Sequence, residues 1–197
     1  MQGQFVLPSI LNDGYDAYAA LRNVNTLMQE YKIDILLAPM GTTAILNYID
    51  KIRNGELSVF FPVSGSTLIR DASLKNIIHF KASYQDEVRA LIDYMIREYG
   101  AQNFVFFYQT DAYGKDALEA AHAMLKKYGI TTWTDVPYSR EQTNFSEQAE
   151  QVRKANPDAI GLLSVSLPTQ AFLGELGTEY LLKRRVFGMS FLESADL

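Results

Sequence analysis

The sequence contains no cysteine, and this absence removes several kinds of chemistry at once. Disulfide bridges, zinc–thiolate sites and thiol nucleophiles are all excluded. Histidine is scarce as well, because the 197 residues include only His79 and His122. The longest run of positive charge is Lys183-Arg184-Arg185, in a chain of net charge -5. Nucleic acid is therefore not expected as a partner, since its binding depends on clustered cations that neutralise phosphates.

Long apolar runs are also missing from the chain. No segment approaches the ~20 apolar residues that a helix needs to span a bilayer. The first residues, MQGQFVLPSILNDGYD, lack the basic region, apolar stretch and cleavage site of a signal peptide. What is present is ordinary globular composition, with 48% hydrophobic and 21% charged residues. The length fits one large domain or two small ones.

Strand and helix patterns alternate almost throughout. Short apolar runs predict strands at Phe5–Leu11, Ile33–Ala38, Leu57–Val63, Ile77–Phe80, Phe104–Tyr108, Thr131–Tyr138, Ala159–Val165 and Val186–Phe191. Amphipathic segments predict helices at Asp16–Tyr31, Thr42–Arg53, Tyr84–Tyr99, Phe145–Ala155 and Thr169–Leu182, with another before Gly129. This alternation indicates an α/β fold with parallel sheets flanked by helices. A domain boundary is predicted near Lys81–Tyr84, where a strand meets the next helix without a βα partner of its own.

The segment Asn103–Gly129 carries the clearest of these patterns. Its continuous apolar run, Phe104–Tyr108, is typical of a parallel strand buried on both faces. A polar turn with Tyr113 and Gly114 follows, and then an amphipathic helix. Ligands of open α/β sheets gather at the carboxyl ends of strands, so we interpret this turn as a recognition loop with an exposed tyrosine.

Small hydroxyl residues follow three of the predicted strands, in the segments APMGTT (38–43), PVSGST (62–67) and SVSLP (164–168). Glycine allows the backbone to approach a ligand closely, and hydroxyl and N–H groups can hold a carboxylate. Thr42 is expected to open a helix, near the positive end of its dipole. The alternative is that these residues are helix N-caps and turn residues. Both interpretations stay open on the sequence alone.

Groups suited to catalysis are few. His79 lies in a predicted strand and His122 in a predicted helix, and structural or surface roles are favoured for both. The segment GMSFL around Ser190 lacks the second glycine of a nucleophile elbow. Neither a glycine-rich phosphate loop nor the alternating acidic spacing of a calcium loop is present. We therefore expect no enzyme, no cofactor and no metal.

Five segments in order carry a family resemblance: NDGYDAYAALRNVNTLMQEYKIDILLAPMGTTA, FPVSGSTLIRD, SYQDEVRALIDYMIREYGAQNFVFFYQTDAYGKDALEA, TNFSEQAEQVRKANPDAIGLL and FGMSFLESADL. With these, the chain resembles the type I periplasmic solute-binding proteins of ABC transporters, in the branched-chain amino-acid (Leu/Ile/Val) class. The resemblance implies two α/β lobes that close on a small ligand. Residues 1–82 would form a partial first lobe that lacks its first strand and helix, and residues 83–197 a nearly complete second lobe.

A first lobe without that strand would leave apolar surface and strand edges uncovered. The chain, as a piece of a longer protein, is therefore expected to pair with another copy or to rearrange.

The resemblance also implies ligand contacts. Thr42 matches the hydroxyl that holds the ligand carboxylate, and Ser64 and Ser66 match a second loop at the same end of the ligand. Tyr113 matches a tyrosine of the second lobe, and Ser166 lies where amino-acid binders often have an aromatic residue.

Phe191 aligns with the position that commonly supplies an acidic partner for the ligand's ammonium group, although Glu193 is close by. An amino acid is one candidate ligand under this alignment. An aromatic or aliphatic carboxylate, stacked on Tyr113 and Phe191, is the other.

Three functions follow as hypotheses. The first is an extracytoplasmic receptor that delivers its ligand to the membrane permease of an ABC uptake transporter, periplasmic or extracellular and membrane-anchored. The second is a ligand-sensing regulatory module of the same fold, cytoplasmic or attached to a receptor. The third is an α/β enzyme, for which the sequence offers no nucleophile, base or metal set.

Overall fold

The computed structural model of the chain describes residues 7–192. The chain is divided into two compact units, one up to Lys81 and one from Ala82 onward. Within the described range, no helix combines the length and the apolar character required to cross a membrane.

The first unit is built on a three-stranded parallel sheet in the order β1-β2-β3. Its elements are α1 (Ala17–Gln29), β1 (Ile35–Leu37), α2 (Thr42–Leu46), α3 (Ile49–Arg53), β2 (Ser58–Phe60), a 3-10 turn (Thr67–Ile69) and β3 (Ile77–Ile78). Helix α1 begins after Asp16, whose carboxylate accepts a hydrogen bond from the amide of Ala19. The core of the unit packs α1, α2 and α3 against one side of this sheet.

Three expectations for this unit are wrong. The described part of the predicted strand Phe5–Leu11 pairs with no other strand; Phe5 and Val6 lie outside the described residues. Pro8 has no N–H to donate to a sheet, and Leu7 is exposed. The helix predicted through Tyr31 ends earlier, because α1 ends at Gln29, and Tyr31 is exposed.

The predicted helix Thr42–Arg53 is also wrong, because it is divided into α2 and α3 at Asn47 and Tyr48. The Asn47 side-chain amide donates to the carbonyl oxygen of Ala17 at 2.9 Å, and Tyr48 is buried with non-helical backbone angles. Tertiary contacts therefore override a continuous helical pattern here.

The second unit has a four-stranded parallel sheet in the order β5-β4-β6-β7. Its elements are α4 (Tyr84–Tyr99), β4 (Phe104–Gln109), α5 (Ala112–Lys127), β5 (Trp133–Tyr138), α6 (Ser146–Ala155), β6 (Ala159–Leu163), α7 (Ser166–Leu176), α8 (Thr178–Leu181) and β7 (Arg185–Gly188). Strand β4 is buried on both faces, as predicted. Phe104 and Phe106 face one apolar cluster, while Val105 and Phe107 face another.

Two elements of the second unit differ most from the prediction. The helix expected at Thr169–Leu182 begins earlier, at Ser166, and is broken at Gly177, whose φ of 78° is in the left-handed region. The last strand ends at Gly188, so Phe191 lies in a turn after β7.

Candidate functional site

The first two hydroxyl loops are held side by side at the carboxyl ends of β1 and β2. Beyond the strands, Met40 and Val63 form an isolated parallel bridge. The Gly41 amide donates to the Val63 carbonyl at 3.2 Å, and the Val63 amide donates to the Pro39 carbonyl at 2.9 Å. The sheet ladder thus continues into both loops and fixes their spacing.

The structure brings the predicted residues of these loops together. The hydroxyls of Thr42 and Ser64 share a hydrogen bond of 2.8 Å, and both side chains are buried. The Ser66 amide donates a hydrogen bond to the same Ser64 hydroxyl at 3.3 Å. Thr42 is the first residue of α2, as expected, while Ser66 caps the 3-10 turn by accepting from the Leu68 amide. Ser66 therefore has the capping role, and Ser64 the turn role, that were the alternative for these residues.

Helix α2 itself adds little to this site. It ends at Leu46 after five residues, so its dipole is much smaller than that of the continuous helix predicted through Arg53. The capacity to hold a carboxylate depends on the hydroxyls and on nearby amide N–H groups.

Unusual backbone angles occur where the chain leaves each strand. Ala38 follows β1 with a φ of 51°, and Phe61 follows β2 with a φ of 58°. Left-handed angles are unfavourable for residues with a side chain, and they concentrate at functional sites. Gly41 has a φ of 94°, and a Cβ there would lie 3.1 Å from the ring of Tyr15.

Tyr113 lies in the first turn of α5, and the expectation that it is exposed in a polar turn is wrong. Asp111 caps the helix by accepting from the amides of Tyr113 and Gly114, so the helix begins at Ala112. The Tyr113 ring is buried, with 1% of its surface exposed. Its hydroxyl donates to the carbonyl oxygen of Ser164 at 2.9 Å.

A chain of buried polar side chains links the carboxyl ends of β4, β5 and β6. Tyr138 shares a 2.7 Å hydrogen bond with the Ser164 hydroxyl and donates to the Gln109 side-chain oxygen at 3.3 Å. Gln109 in turn donates to Asp111 at 2.7 Å. Gln109 and Tyr138 were not predicted as site residues from the sequence. The available signal was that each is a polar-ended residue at the carboxyl end of a strand, where ligands of α/β sheets gather.

An ion pair between Arg140 and Asp111 lies at the outer end of this series of hydrogen bonds. Arg140 donates to Asp111 at 2.6 Å, and both side chains are partly buried. Asp111 therefore combines three roles, as helix cap, as acceptor for Gln109 and as partner of Arg140. Ser166, the predicted contact of the third hydroxyl loop, is half-buried at the start of α7, next to Val165.

Phe191 lies against Tyr113, with ring centroids 5.1 Å apart, so the structure brings this predicted aromatic pair together. The turn that carries Phe191 is tied to α4, because the Ser190 amide and hydroxyl donate to the Glu87 carboxylate at 2.9 and 2.7 Å. This contact gives Ser190 a positioning role for its turn. Glu193, the nearby acidic alternative, lies outside the described residues.

Neither histidine is placed for catalysis. His122 shares a 2.9 Å contact with Asp135 and packs on Trp133, as a partly buried member of the second unit. The His79 Nε2–H donates to the carbonyl oxygen of Ile69 at 3.1 Å, which is the structural role that the sequence favoured. Across residues 7–192, no group of three or more potential metal-ligating side chains converges.

Acidification should destabilise the first unit through His79. Burial and the nearby Arg70 guanidinium lower the pKa of His79. Folding therefore favours neutral imidazole, and this contribution is complete above the unfolded-state pKa of about 6.5 and is lost as the pH falls below it. Denaturation of His79→Gln, which keeps a donor for Ile69, should show a smaller loss of stability between pH 7 and pH 5 than wild type. Parallel pH profiles for the two proteins would rule out this assignment.

Comparisons with known proteins agree with this fold. The model of a family described as periplasmic binding protein matches residues 2–192. A solute-binding protein of an ABC transporter from R. palustris, solved in complex with benzoate, superposes with a TM-score of 0.82 at 16% identity, covering 92% of this chain and 50% of that one. A branched-chain amino acid ABC transporter protein from Thermus thermophilus, with bound valine, gives 0.80 at 19% identity, covering 94% and 48%.

A substrate-binding periplasmic protein from Ralstonia solanacearum gives a TM-score of 0.80 at 21% identity, covering 92% of this chain and 51% of that one. These likenesses confirm the expected fold, with parallel sheets flanked by helices. The chain spans about half the length of the solved structures that it matches. No curated protein sequence matches it.

Proposed function

Since the chain belongs to the periplasmic binding protein family, whose members bind solutes and are not enzymes, we propose that it is the ligand-recognition part of an ABC uptake receptor. The ligand is a small amino acid or carboxylate. The whole protein works outside the cytoplasmic membrane, anchored there or free in the periplasm, and delivers its ligand to a membrane permease. We set aside the hypothesis of an α/β enzyme, because the members of this family bind solutes.

The observation that carries this proposal is the hydrogen-bonded pair of Thr42 and Ser64 at the carboxyl ends of two parallel strands. One hydroxyl of this pair donates to the other at 2.8 Å, and the Ser66 amide donates to Ser64, so one hydroxyl hydrogen is left to donate to a carboxylate. Ligands of open α/β sheets bind at such strand ends. We assign the carboxylate contacts of the first unit to Thr42, Ser64 and Ser66.

For the second unit we assign the contacts to Tyr113, Phe191 and Ser166. The Tyr113 ring is covered by Phe191 and Tyr84. A ligand therefore contacts the Tyr113 ring directly if Phe191 moves aside, or stacks on Phe191 if that residue stays in place. Aromatic neighbours suit the apolar body of a ligand. The benzoate and valine named for two of the matched proteins represent the two candidate classes, an aromatic carboxylate and an aliphatic amino acid.

Calorimetric titration with benzoate, valine and a panel of related acids tests the proposal. A saturable response to at least one carboxylate is expected, and Thr42→Val should weaken it by roughly 10–100-fold, the value of a lost hydrogen bond to a charged group. Thr169→Val is the matched control, because the buried Thr169 hydroxyl has no hydrogen-bond partner among the described residues. No response to any acid, or equal losses in both variants, would refute the assignment.

A further inference from the structure

The ring of Tyr15 lies directly against the main chain of Gly41, the residue before Thr42. A Cβ built on Gly41 would lie 3.1 and 3.7 Å from two ring carbons of Tyr15, so the ring fills the space on that side of Gly41. Gly41 itself joins the two hydroxyl loops. Its amide donates to the Val63 carbonyl at 3.2 Å, and its own carbonyl accepts from Ile45 of α2 at 3.1 Å. A displacement of Gly41 would therefore move both the start of α2 and its link to the second loop.

The loop that carries Tyr15, residues 12–16, is held by its own hydrogen bonds. The Asn12 side chain accepts from the Gly14 amide at 2.9 Å, and the Asp13 side chain accepts from the Tyr15 amide at 2.8 Å. Gly14 and Tyr15 both have left-handed backbone angles, with φ of 59° and 62°. For tyrosine this conformation is unfavourable, and it persists only where the surrounding structure imposes it. The loop thus fixes the direction in which the Tyr15 side chain leaves the backbone.

The same loop is anchored to the junction of α2 and α3. The Asn47 side chain donates to the carbonyl oxygen of Ala17, just after the loop, at 2.9 Å. Burial and, secondly, the nearby Asp13 carboxylate raise the pKa of the Tyr48 hydroxyl, which places Asp13 close to this junction. The Tyr15 ring therefore packs at one end of α2, while neighbours of the loop hold the other end.

We propose that Tyr15 is a positioning residue for the carboxylate site of the first unit and acts through Gly41. The role rests on the proposed function, in which the Thr42 hydroxyl holds a carboxylate. The 2.8 Å hydrogen bond between Thr42 and Ser64 requires the two loops to keep their spacing. Gly41 bonds one loop to the other, and the ring packed against it restricts the backbone of a residue that otherwise has wide conformational freedom. Without the ring, the Thr42 hydroxyl loses its fixed place.

Calorimetric titration of the 197-residue chain with benzoate and valine tests this role through a double-mutant cycle. Tyr15→Ala should weaken binding roughly 10-fold, but less than about 2-fold further when Thr42→Val is already present, because the hydroxyl through which Tyr15 acts is then gone. Tyr18→Ala is the matched control, since Tyr18 lies in α1 and is 73% exposed, and it should leave the affinity unchanged. An equal loss from Tyr15→Ala with and without the Thr42 hydroxyl, or no loss in either, would overturn the proposal.

Hydrogen exchange of the ligand-free protein separates this role from the proposed function, which fails if neither acid gives a response. Followed by NMR, amide exchange at Gly41 and Val63 should be faster in Tyr15→Ala than in wild type, because both amides bond between the loops. The Val59 amide, bonded within the sheet, reports on the stability of the unit as a whole and should change less. An equal acceleration at all three amides, or none, would overturn the positioning role even where ligand binding is absent.

Discussion

Alanine in place of Gly114 should unfold the second unit at a far lower denaturant concentration than wild type. A Cβ at this position would lie 2.1 Å from the carbonyl oxygen of Gln109 and 2.9 Å from its carbonyl carbon and amide nitrogen. These are main-chain atoms of the end of β4, so no side-chain rotation relieves the contact. Either the first turn of α5 or the end of β4 must shift, and we expect a loss of more than about 3 kcal/mol, above the usual range for overpacking.

Trp133 makes the measurement specific, because this single tryptophan lies in β5 of the second unit. Urea denaturation followed by its fluorescence should show the shift. Gly174→Ala is the matched control, since Gly174 lies in α7 with ordinary helical φ and nothing within 4 Å of a built Cβ. That variant should gain roughly 0.5–1 kcal/mol, the helix-interior difference between glycine and alanine. Superimposable transitions for the two variants would contradict the close approach at Gly114.

Truncation of Phe107 should cost a similar amount through the opposite defect, a cavity. The Phe107 ring is fully buried between those of Tyr138 and Phe172, at centroid distances of 4.5 and 3.9 Å, with Phe145 edge-on at 5.6 Å. Phe107→Ala removes the middle of this stack, and we expect a loss of about 3–5 kcal/mol in the free energy of unfolding.

The same tryptophan fluorescence measures this loss, and Phe107→Leu grades it. Leucine retains most of the buried volume but not the stacked ring, so its loss should be well below that of alanine. Equal losses for both variants would contradict a cavity as the cause, because they would mean that the stacked ring, and not the volume it fills, accounts for the whole loss.

The elements that local pattern specifies were predicted well from the sequence. Helix α4 has its predicted bounds because Ser83 caps its start and Gly100, in a left-handed conformation, ends it. Strand β4 was equally clear, because a continuous apolar run indicates a strand that is buried on both faces. Signals of this kind act between residues that are close in sequence.

The misses come from contacts between residues far apart in the chain. The break between α2 and α3 depends on Asn47 reaching α1, and no periodicity contains that contact. Burial of Tyr113 depends on Tyr84, Ser164 and Phe191, which are distant in sequence. The hydroxyl pair of Thr42 and Ser64 was foreseeable, because parallel strands bring their carboxyl ends to one edge, whereas the polar chain through Tyr138 was not.

The left-handed residues Ala38 and Phe61 follow Leu37 and Phe60, which are paired in register. Two adjacent strands therefore turn in the same way at the same level, and main-chain hydrogen bonds between Gly41, Val63 and their neighbours keep the loops together. The positions of the loops are set by the backbone, so the side chains that they carry are free to diverge. Given the ligand contacts proposed for these loops, we expect that a lineage with this scaffold changes its preferred solute by point substitutions in the loops, without inserting or deleting a residue.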